Sequence, residues 1–543
     1  MVSDSGQRAL ADTPDDEKLR AIRAYWRAAL AGLLSVAVML GVSEIFAGGL
    51  PGGRSHVIAV GDVVIDSVPG WVERAAISLL GTADKPFLIV TILVVSGLLG
   101  AALGILGAWQ FLLGAAGLAV MAALGTAASL ADPQTEGAAP LAVGLLGALA
   151  GIVTLWLLLQ AAIRGEPAAA PAHAVAGRGS AARGPAAGGV VDRRRFLGLA
   201  GAAVLVAGLG ALGGRLLVNS ERIDKIREAV RLPRPVRQAP PPPPGASLAI
   251  PRLTPLYVPN DEFFRIDTAL TVPQVDPADW SLQVRGIVDR PISLTYAELM
   301  AMPQIEADVT LSCVSNEVGG DLVGNARWQG VPLSAVLEKA RLRDDATQVI
   351  GRSVDGFTAG FPTDVALDGR EAMIAVAMNG EPLPAKHGFP ARLVVPGLYG
   401  YVSATKWLSA IELTRFDEVD GYWIPRGWAK EGPIKTQSRI DAPAGSSIPA
   451  GKRTIAGVAW APTRGIERVE VRVDDGLWQE ATLAASIGVD SWRQWFLRWN
   501  ASPGRHTIAV RATDGLGETQ TDERTPINPD GASGHHTINV NVE

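Results

Sequence analysis

The feature that most limits how this chain can fold lies in its first 218 residues, where long apolar runs alternate with short polar breaks. A helix that crosses a bilayer needs roughly 20 apolar residues. We predict five such spans, near residues 27–48, 86–107, 109–130, 139–163 and 196–218. A buried helix of a soluble protein would show a polar stripe, and these runs do not. The second and third spans meet around Gly107–Trp109, which predicts a tight helical hairpin.

Charged residues between the runs indicate the orientation. The positively charged residues before the first run and between the fourth and fifth runs are Lys18, Arg20, Arg23, Arg27, Arg164, Arg178, Arg183 and Arg193–Arg195. The other loops carry the acidic residues Asp62, Asp66, Asp132 and Glu136. Positive residues favour the cytoplasmic side. We therefore expect a cytoplasmic amino terminus and an extracytoplasmic position for everything after residue 218.

Two connecting segments have a biased composition. Residues 166–189 are rich in Ala, Gly and Pro, which predicts disorder, whereas APPPPPG at 239–245 predicts a stiff polyproline spacer. The fifth run begins DRRRFLG, which resembles a twin-arginine export signal retained as an anchor. Arginines that only fix the orientation of the helix would give the same pattern, so both interpretations stay open.

The rest of the chain alternates between strand and helix patterns and then loses its helices. WSLQVRGIV predicts a strand, and SLTYAELMAM and GVPLSAVLEKA predict capped or amphipathic helices. Short strands divided by Gly, Pro, Asp and Asn follow to the end, as in an immunoglobulin-like β-sandwich. The predicted segments are 1–26 (cytoplasmic), 27–163 (four spans), 164–195 (linker), 196–218 (fifth span), 219–249 (spacer), 250–428 (α+β domain) and 429–543 (β-sandwich).

Cys313, in VTLSCVSNEVGG, is the only cysteine of the chain. A single cysteine excludes an intramolecular disulfide and any zinc or iron–sulfur site built from several cysteines of this chain. Three interpretations remain: a buried hydrophobic residue, a reactive thiol, or the single protein ligand of a bound metal.

Several motifs in order carry a resemblance to a known family. They are DVTLSCVSN, GNARWQGVPLSAVLEKA and AMNGEPLPAKHGFPARLVVPGLYGYVSATKWLSAIEL. Together they resemble the sulfite-oxidase family of molybdopterin-dependent oxidoreductases, and the β-sandwich resembles that family's dimerisation domain. The resemblance covers roughly residues 250–543 and implies oxygen-atom transfer at a molybdenum–molybdopterin cofactor.

The resemblance assigns roles to individual residues. It makes Cys313 the molybdenum ligand, and a soft thiolate suits that metal. The residues that match the family's pterin-phosphate contacts are His387, Arg392, Ser403 and Lys406, and those that align with its entry segment to the cofactor are Asn260, Phe263 and Phe264. His387 as a turn residue and Lys406 as a solvated charge remain alternatives, whereas Arg392 stands in an apolar run where an unpaired charge would be costly.

The expected substrate site departs from the family pattern. Arg265 and Arg327 match two arginines that hold an oxyanion in sulfite oxidases. However, Ile266 and Asp267 replace an amide and an imidazole, and Val376 stands where an ungapped alignment expects the active-site tyrosine. A carboxylate near the metal would oppose sulfite binding. Sulfite oxidation and reduction of a sulfoxide-like oxide therefore both remain open.

Electrons must leave or reach the cofactor through another carrier. None of the six histidines lies in a predicted span, and one cysteine cannot attach a c-type haem, so we expect no haem in this chain. The expected partners are a separate electron-transfer protein or the quinone pool, with a homodimer through the β-sandwich. A competing hypothesis is a non-catalytic membrane receptor or assembly module that keeps the fold.

Overall fold

A computed structural model describes most of the chain. It covers residues 14–543 except 51, 71, 73–75, 77–78, 81–82, 134, 136, 164–187, 218–219 and 446. Nearly all of the predicted linker at 166–189, together with Arg164, Arg178, Arg183 and Glu136, lies outside the described residues. The chain divides into two compact units, Met1–Asn219 and Ser220–Glu543.

The first unit is helical. Its helices are α1 (Pro14–Gly49), α2 (His56–Ser67), α3 (Asp84–Trp109), α4 (Phe111–Ala131), α5 (Ala139–Ile163) and α6 (Gly188–Leu217). All but α2 contain a stretch long and apolar enough to cross a membrane. The prediction of five apolar spans is therefore confirmed.

Helix α1 is the centre of this unit and packs against α3, α5 and α6. Small residues allow the backbones of α1 and α3 to approach closely: a Cβ at Gly104 would lie 2.0 Å from the Ala28 carbonyl oxygen. Gln110 alone separates α3 from α4, as the predicted hairpin requires.

Two sheets form the α+β part of the second unit. The first has the order β2-β1-β10-β5-β6, and the second has the order β3-β4-β7-β8, with β9 paired to β7. The strands of the first sheet are β1 (Ser281–Gly286), β2 (Ile292–Thr295), β5 (Gln348–Ser353), β6 (Thr358–Pro362) and β10 (Leu408–Thr414). Those of the second are β3 (Ile305–Ser312), β4 (Val323–Pro332), β7 (Met373–Met378), β8 (Glu381–Pro382) and β9 (Arg392–Val394).

Short helices connect these strands. They are α8 (Tyr296–Ala301), α9 (Leu333–Ala340), α10 (Thr363–Leu367) and α11 (Gly400–Ser403), and α7 (Ser220–Ala229) precedes the sheets. Helix α8 begins at a capping box in which Thr295 and Glu298 satisfy each other's backbone N–H groups. This is the start that SLTYAELMAM predicts.

Two further sheets form the carboxyl-terminal part, with orders β11-β13-β17-β16 and β12-β19-β18-β14-β15. The strands are β11 (Gln437–Ala442), β12 (Ser447–Ile448), β13 (Gly451–Trp460), β14 (Ile466–Val473), β15 (Gln479–Glu480), β16 (Thr482–Leu483), β17 (Arg493–Ala501), β18 (Gly504–Asp514) and β19 (His536–Val542). Ile455 and Trp495 from one sheet share a buried core with Val471 and Val510 from the other. The predicted β-rich carboxyl-terminal region is confirmed.

The segment predicted as a spacer lies along the α+β domain instead of standing apart from it. Helix α7 buries Ile223 in the core of that domain. The Val236 amide donates to Gln304, and the Ala239 amide donates to Glu306 at 3.1 Å. A polyproline run has no internal hydrogen bonds, so its carbonyl groups are free to accept bonds from a neighbouring surface.

Candidate active site

Cys313 follows directly after strand β3 and is 9% exposed. Its amide donates to the Leu322 carbonyl at 2.9 Å, and its sulfur accepts a hydrogen bond from the Ser315 amide at 3.4 Å. Burial raises the pKa of the thiol, while the hydrogen bond from Ser315 and the charge of Lys406 oppose that rise. The thiolate therefore needs a positive partner, and a metal ion would provide one.

Arg392, the first residue of β9, is a buried charge without a carboxylate partner among the described residues. Its guanidinium donates to the carbonyls of His387 at 3.2 Å and Leu393 at 3.3 Å, and it lies 5.1 Å from the ring of Trp328. Burial lowers the pKa of Arg392 to about 10. A buried cation that contacts only carbonyls and an aromatic face can accept an anionic group from outside the chain.

Lys406 lies next to Arg392. A Cβ at Gly388 would be 3.1 Å from the Cβ atoms of both side chains. The Lys406 ammonium donates to Asp267 at 2.8 Å, and burial lowers the pKa of Lys406 to about 8 despite that carboxylate. Asp267 also accepts from Arg265 at 2.8 Å, so one carboxylate joins the two cations.

Asn260, Phe263 and Phe264 line the same region. The His387 ring nitrogen Nε2 donates to the Asn260 carbonyl at 2.8 Å, and Phe263 packs edge-on against His387 with ring centroids 5.7 Å apart. Phe263 also stacks on Phe264 at 5.1 Å. Burial lowers the pKa of His387 to about 3, so this imidazole is neutral at physiological pH. It can donate a hydrogen bond but adds no charge.

Ser403 ends helix α11 and is completely buried. Its hydroxyl donates to the carbonyls of Leu398 at 3.3 Å and Tyr399 at 3.0 Å. The hydroxyl proton is used by these carbonyls of the turn that precedes α11. The hydroxyl oxygen can still accept a hydrogen bond from another group.

The structure places Arg327 away from Cys313 and the residues around it. Strand register pairs Arg327 with Asp308, five residues before Cys313, which is roughly 16 Å along β3. Arg327 donates to both carboxylate oxygens of Asp308 at 2.8 Å and to the Pro240 carbonyl at 2.8 Å. Its position supports a structural role rather than contact with a substrate at Cys313.

Comparisons with known proteins find relatives of this part of the chain. Residues 269–423 match the oxidoreductase molybdopterin binding domain. Mouse mitochondrial sulfite oxidase is 32% identical over 325 residues, which cover 51% of this chain and 59% of that protein. The uncharacterized oxidoreductase YuiH of Bacillus subtilis is 38% identical over 157 residues, covering 29% of this chain and 76% of YuiH. This chain belongs to the sulfite-oxidase family of molybdopterin-dependent oxidoreductases.

The likeness to these relatives is partial. The chain spans 59% of the length of the mouse and rat mitochondrial sulfite oxidases that it matches. The solved structure of the sulfane dehydrogenase SoxCD from Paracoccus pantotrophus covers 53% of this chain and 83% of its own, at 21% identity and a TM-score of 0.46. A likeness this remote carries over neither a substrate nor a partner.

The residues of the site fit the cofactor of the sulfite-oxidase family. Molybdopterin carries a phosphate, and the buried Arg392 guanidinium faces only carbonyls and a ring. Guanidinium and ammonium groups are the usual partners of phosphate in proteins. The charge of Lys406 acts on the Cys313 thiol, so a group that could ligate a soft metal and cations that could bind a phosphate belong to one site.

The structure also supplies a tyrosine that an alignment of the sulfite-oxidase motifs misses. Val376 is completely buried in β7. Tyr399, which precedes α11, is 3% exposed and lies within electrostatic range of Cys313. Burial raises the pKa of its phenol to about 12. Only the fold reveals this proximity, because 86 positions separate the two residues in sequence.

Asp355 is a second residue that the motifs do not reveal. Burial raises the pKa of its carboxyl group, and Asp267 and Lys406 both act on it electrostatically. Its nearest partners are the Ser353 hydroxyl and the Phe357 amide, which donates at 3.1 Å. Asp355 therefore joins Asp267, Arg265 and Arg392 among the charged groups that act on Lys406.

Proposed function

We propose that this protein is a membrane-anchored molybdopterin-dependent oxidoreductase that transfers an oxygen atom to or from a small sulfur oxo substrate. The observation that carries the proposal is the buried Arg392, without a carboxylate partner among the described residues, beside Lys406, whose charge acts on Cys313. A non-catalytic receptor would gain nothing from such a costly arrangement.

Each residue of the site has a defined task in this proposal. The bound cofactor would supply the metal that exchanges the oxygen atom and two electrons. Cys313 would ligate that metal, and Arg392 and Lys406 would hold the phosphate, with Ser403 as a further hydrogen-bonding group. His387, kept neutral and oriented by its bond to Asn260, would accept a hydrogen bond from the pterin at Nδ1, and Phe263 and Phe264 would exclude water from it.

The charge of the site favours a substrate with little negative charge. Arg265 is 38% exposed and would orient an oxo group, but Asp267 pairs with both Arg265 and Lys406. One carboxylate therefore cancels part of the positive potential that a sulfite dianion needs. We infer that a neutral sulfoxide-like oxide is the better substrate and that the enzyme works as a reductase.

Metal analysis tests the cofactor. Wild-type protein and Cys313→Ser would be purified from a host that makes molybdopterin, and their molybdenum content measured. We expect about one molybdenum per wild-type chain, because one thiolate ligates one metal, and less in the variant. A wild type without molybdenum would disprove the proposal.

Steady-state assays test whether the enzyme reduces an oxide or oxidises sulfite. Methionine sulfoxide with a reduced dye is compared with sulfite and an artificial electron acceptor, using the same preparation. Faster turnover of sulfite would contradict the assignment as a reductase.

The same proposal places the catalytic unit outside the cytoplasm. The positive residues that precede the apolar run of α1 and the apolar run of α6 support that orientation, and Arg194 and Arg195 stand exposed at the start of the fifth span. A reporter enzyme that works only outside the cytoplasm should be active when it is fused after Glu543. A reporter that works only in the cytoplasm should be inactive in the same position. Loss of that activity in a strain without twin-arginine export would assign the DRRRFLG motif to that route.

A further inference from the structure

The loop from Cys313 to Leu322 is closed at its base by its own hydrogen bonds. The Cys313 amide donates to the Leu322 carbonyl at 2.9 Å, and the Leu322 amide donates to the Asn316 side chain at 2.8 Å. The Asn316 amide donates to the Cys313 carbonyl at 3.1 Å. Asn316 therefore joins both ends of the loop.

The tip of the same loop is held by the β-sandwich. The Arg439 guanidinium donates to the Gly320 carbonyl at 2.8 Å, and it also bonds Asp441 at 2.7 Å and Thr254 at 2.7 Å. The His536 ring lies against Gly319, where a Cβ would come within 2.3 Å of the ring. Gly319 has a φ of +84°, which any other residue adopts at a cost.

His536 is itself fixed in one state. Its Nδ1 accepts a hydrogen bond from the Ile440 amide at 2.9 Å, which requires that nitrogen to be unprotonated. Burial, with the charges of Arg439 and Arg524, lowers the pKa of His536 to about 4. The ring is therefore a neutral, rigid support at physiological pH.

A short series of contacts leads from this support to the cysteine. His536 and Arg439 hold Gly319 and Gly320, and a Cβ at Gly320 would be 2.7 Å from the Asn316 side-chain oxygen. Asn316 in turn bonds the Cys313 carbonyl. Moving the tip of the loop would therefore move Asn316 and change the direction of the thiol.

We propose that His536 and Arg439 are positioning residues for Cys313, so that the β-sandwich sets the geometry of the metal ligand in addition to any role in dimer formation. This inference rests on the proposed role of Cys313 as molybdenum ligand. Groups that orient a metal ligand typically affect metal affinity or activity by roughly 10- to 100-fold.

Two variants with matched controls test the proposal in full-length protein. His536→Ala is compared with His506→Ala, a histidine of the same sandwich that pairs with Asp474. Gly319→Ala is compared with Gly517→Ala, since Gly517 has a φ of +83° but nothing within 4 Å of its missing Cβ. Each protein is assayed for molybdenum content, the electron paramagnetic resonance spectrum of Mo(V), and melting temperature.

We expect the Mo(V) spectrum to change in His536→Ala and Gly319→Ala and to match wild type in both controls. Turnover per molybdenum should fall by roughly tenfold in the two test variants. Lower melting temperatures with an unchanged spectrum would show that these contacts only hold the domains together. If His536→Ala does not accumulate, Gly319→Ala against Gly517→Ala decides the matter. Wild-type protein without molybdenum would refute the proposed function itself, before any variant is compared.

Discussion

At the scale of single residues, Asp267 would set part of the charge that a substrate meets in the proposed active site. Its carboxylate pairs with Lys406 and Arg265. Asp267→Asn removes one negative charge from a poorly solvated site, so kcat/KM for sulfite should rise by about tenfold relative to that for methionine sulfoxide.

The control for that substitution is Asp261→Asn, which removes the same charge from an exposed position. It should leave the ratio of the two kcat/KM values unchanged. An equal effect of Asp267→Asn on both substrates would contradict an electrostatic origin of the selectivity.

His387 links stability to pH. Burial lowers its pKa from 6.5 to about 3, so between these values the unfolded chain binds a proton that the folded protein does not. The free energy of unfolding should therefore decrease as the pH falls from 6.5 towards 3, by about 1.4 kcal/mol per unit at most. Denaturation of cofactor-free His387→Gln should show a smaller decrease than wild type.

His506 should make stability depend on pH in the direction opposite to that of His387. Its hydrogen bond with Asp474 raises its pKa above 6.5, so the stability it contributes is present at low pH and is lost as the pH rises through the folded value. His506→Gln should therefore lose stability at low pH. The same pH profile in both variants would refute the assignment for His387.

At the scale of strands and segments, Arg327 shows what a sequence motif can and cannot predict. The pattern GNARWQG belongs to the motifs that carry the family resemblance, and in the structure it forms part of strand β4. The pattern contained no information on register, which places Arg327 opposite Asp308 and far from Cys313. Likewise, a polyproline composition predicts an extended backbone but not the surface that binds it.

Side chains in contiguous motifs were easier to predict. His387, Arg392 and Lys406 come from one stretch of 20 residues, and the structure gathers them around Gly388. Tyr399 lies in the same stretch but was missed, because the ungapped alignment placed the active-site tyrosine at Val376, whereas Asp355 comes from a separate part of the chain. The side chains of one motif stay close because the chain connects them, whereas only long-range packing brings Asp355 to Lys406.

The position of Arg327 leads to a prediction on stability. Asp308 is 5% exposed and pairs with Arg327, so Arg327→Gln would leave a buried carboxylate with a weaker partner. Breaking a buried pair in this way costs about 3–5 kcal/mol. We expect a lower melting temperature with unchanged turnover per molybdenum. Arg285→Gln, which affects an exposed contact with Glu412, should change stability little.

At the scale of the whole molecule, the second unit begins at Ser220 rather than at the predicted domain start, residue 250. The intervening residues contribute Ile223 and Ala246 to the core and place Arg227 within 3.2 Å of the Pro382 carbonyl. The Ala239 and Pro240 carbonyls accept hydrogen bonds from Arg327. Residues 220–249 therefore complete the catalytic unit.

Two truncated proteins test this boundary and separate catalysis from electron transfer. A protein of residues 220–543 should bind molybdenum and turn over its substrate with an artificial dye, because its core is complete. A protein of residues 250–543 should melt at a lower temperature and bind less molybdenum, since it exposes the core that α7 covers. Equal melting temperatures would show that residues 220–249 contribute no stability. Only the full-length protein should exchange electrons with isolated membranes if the helical unit serves the electron partner.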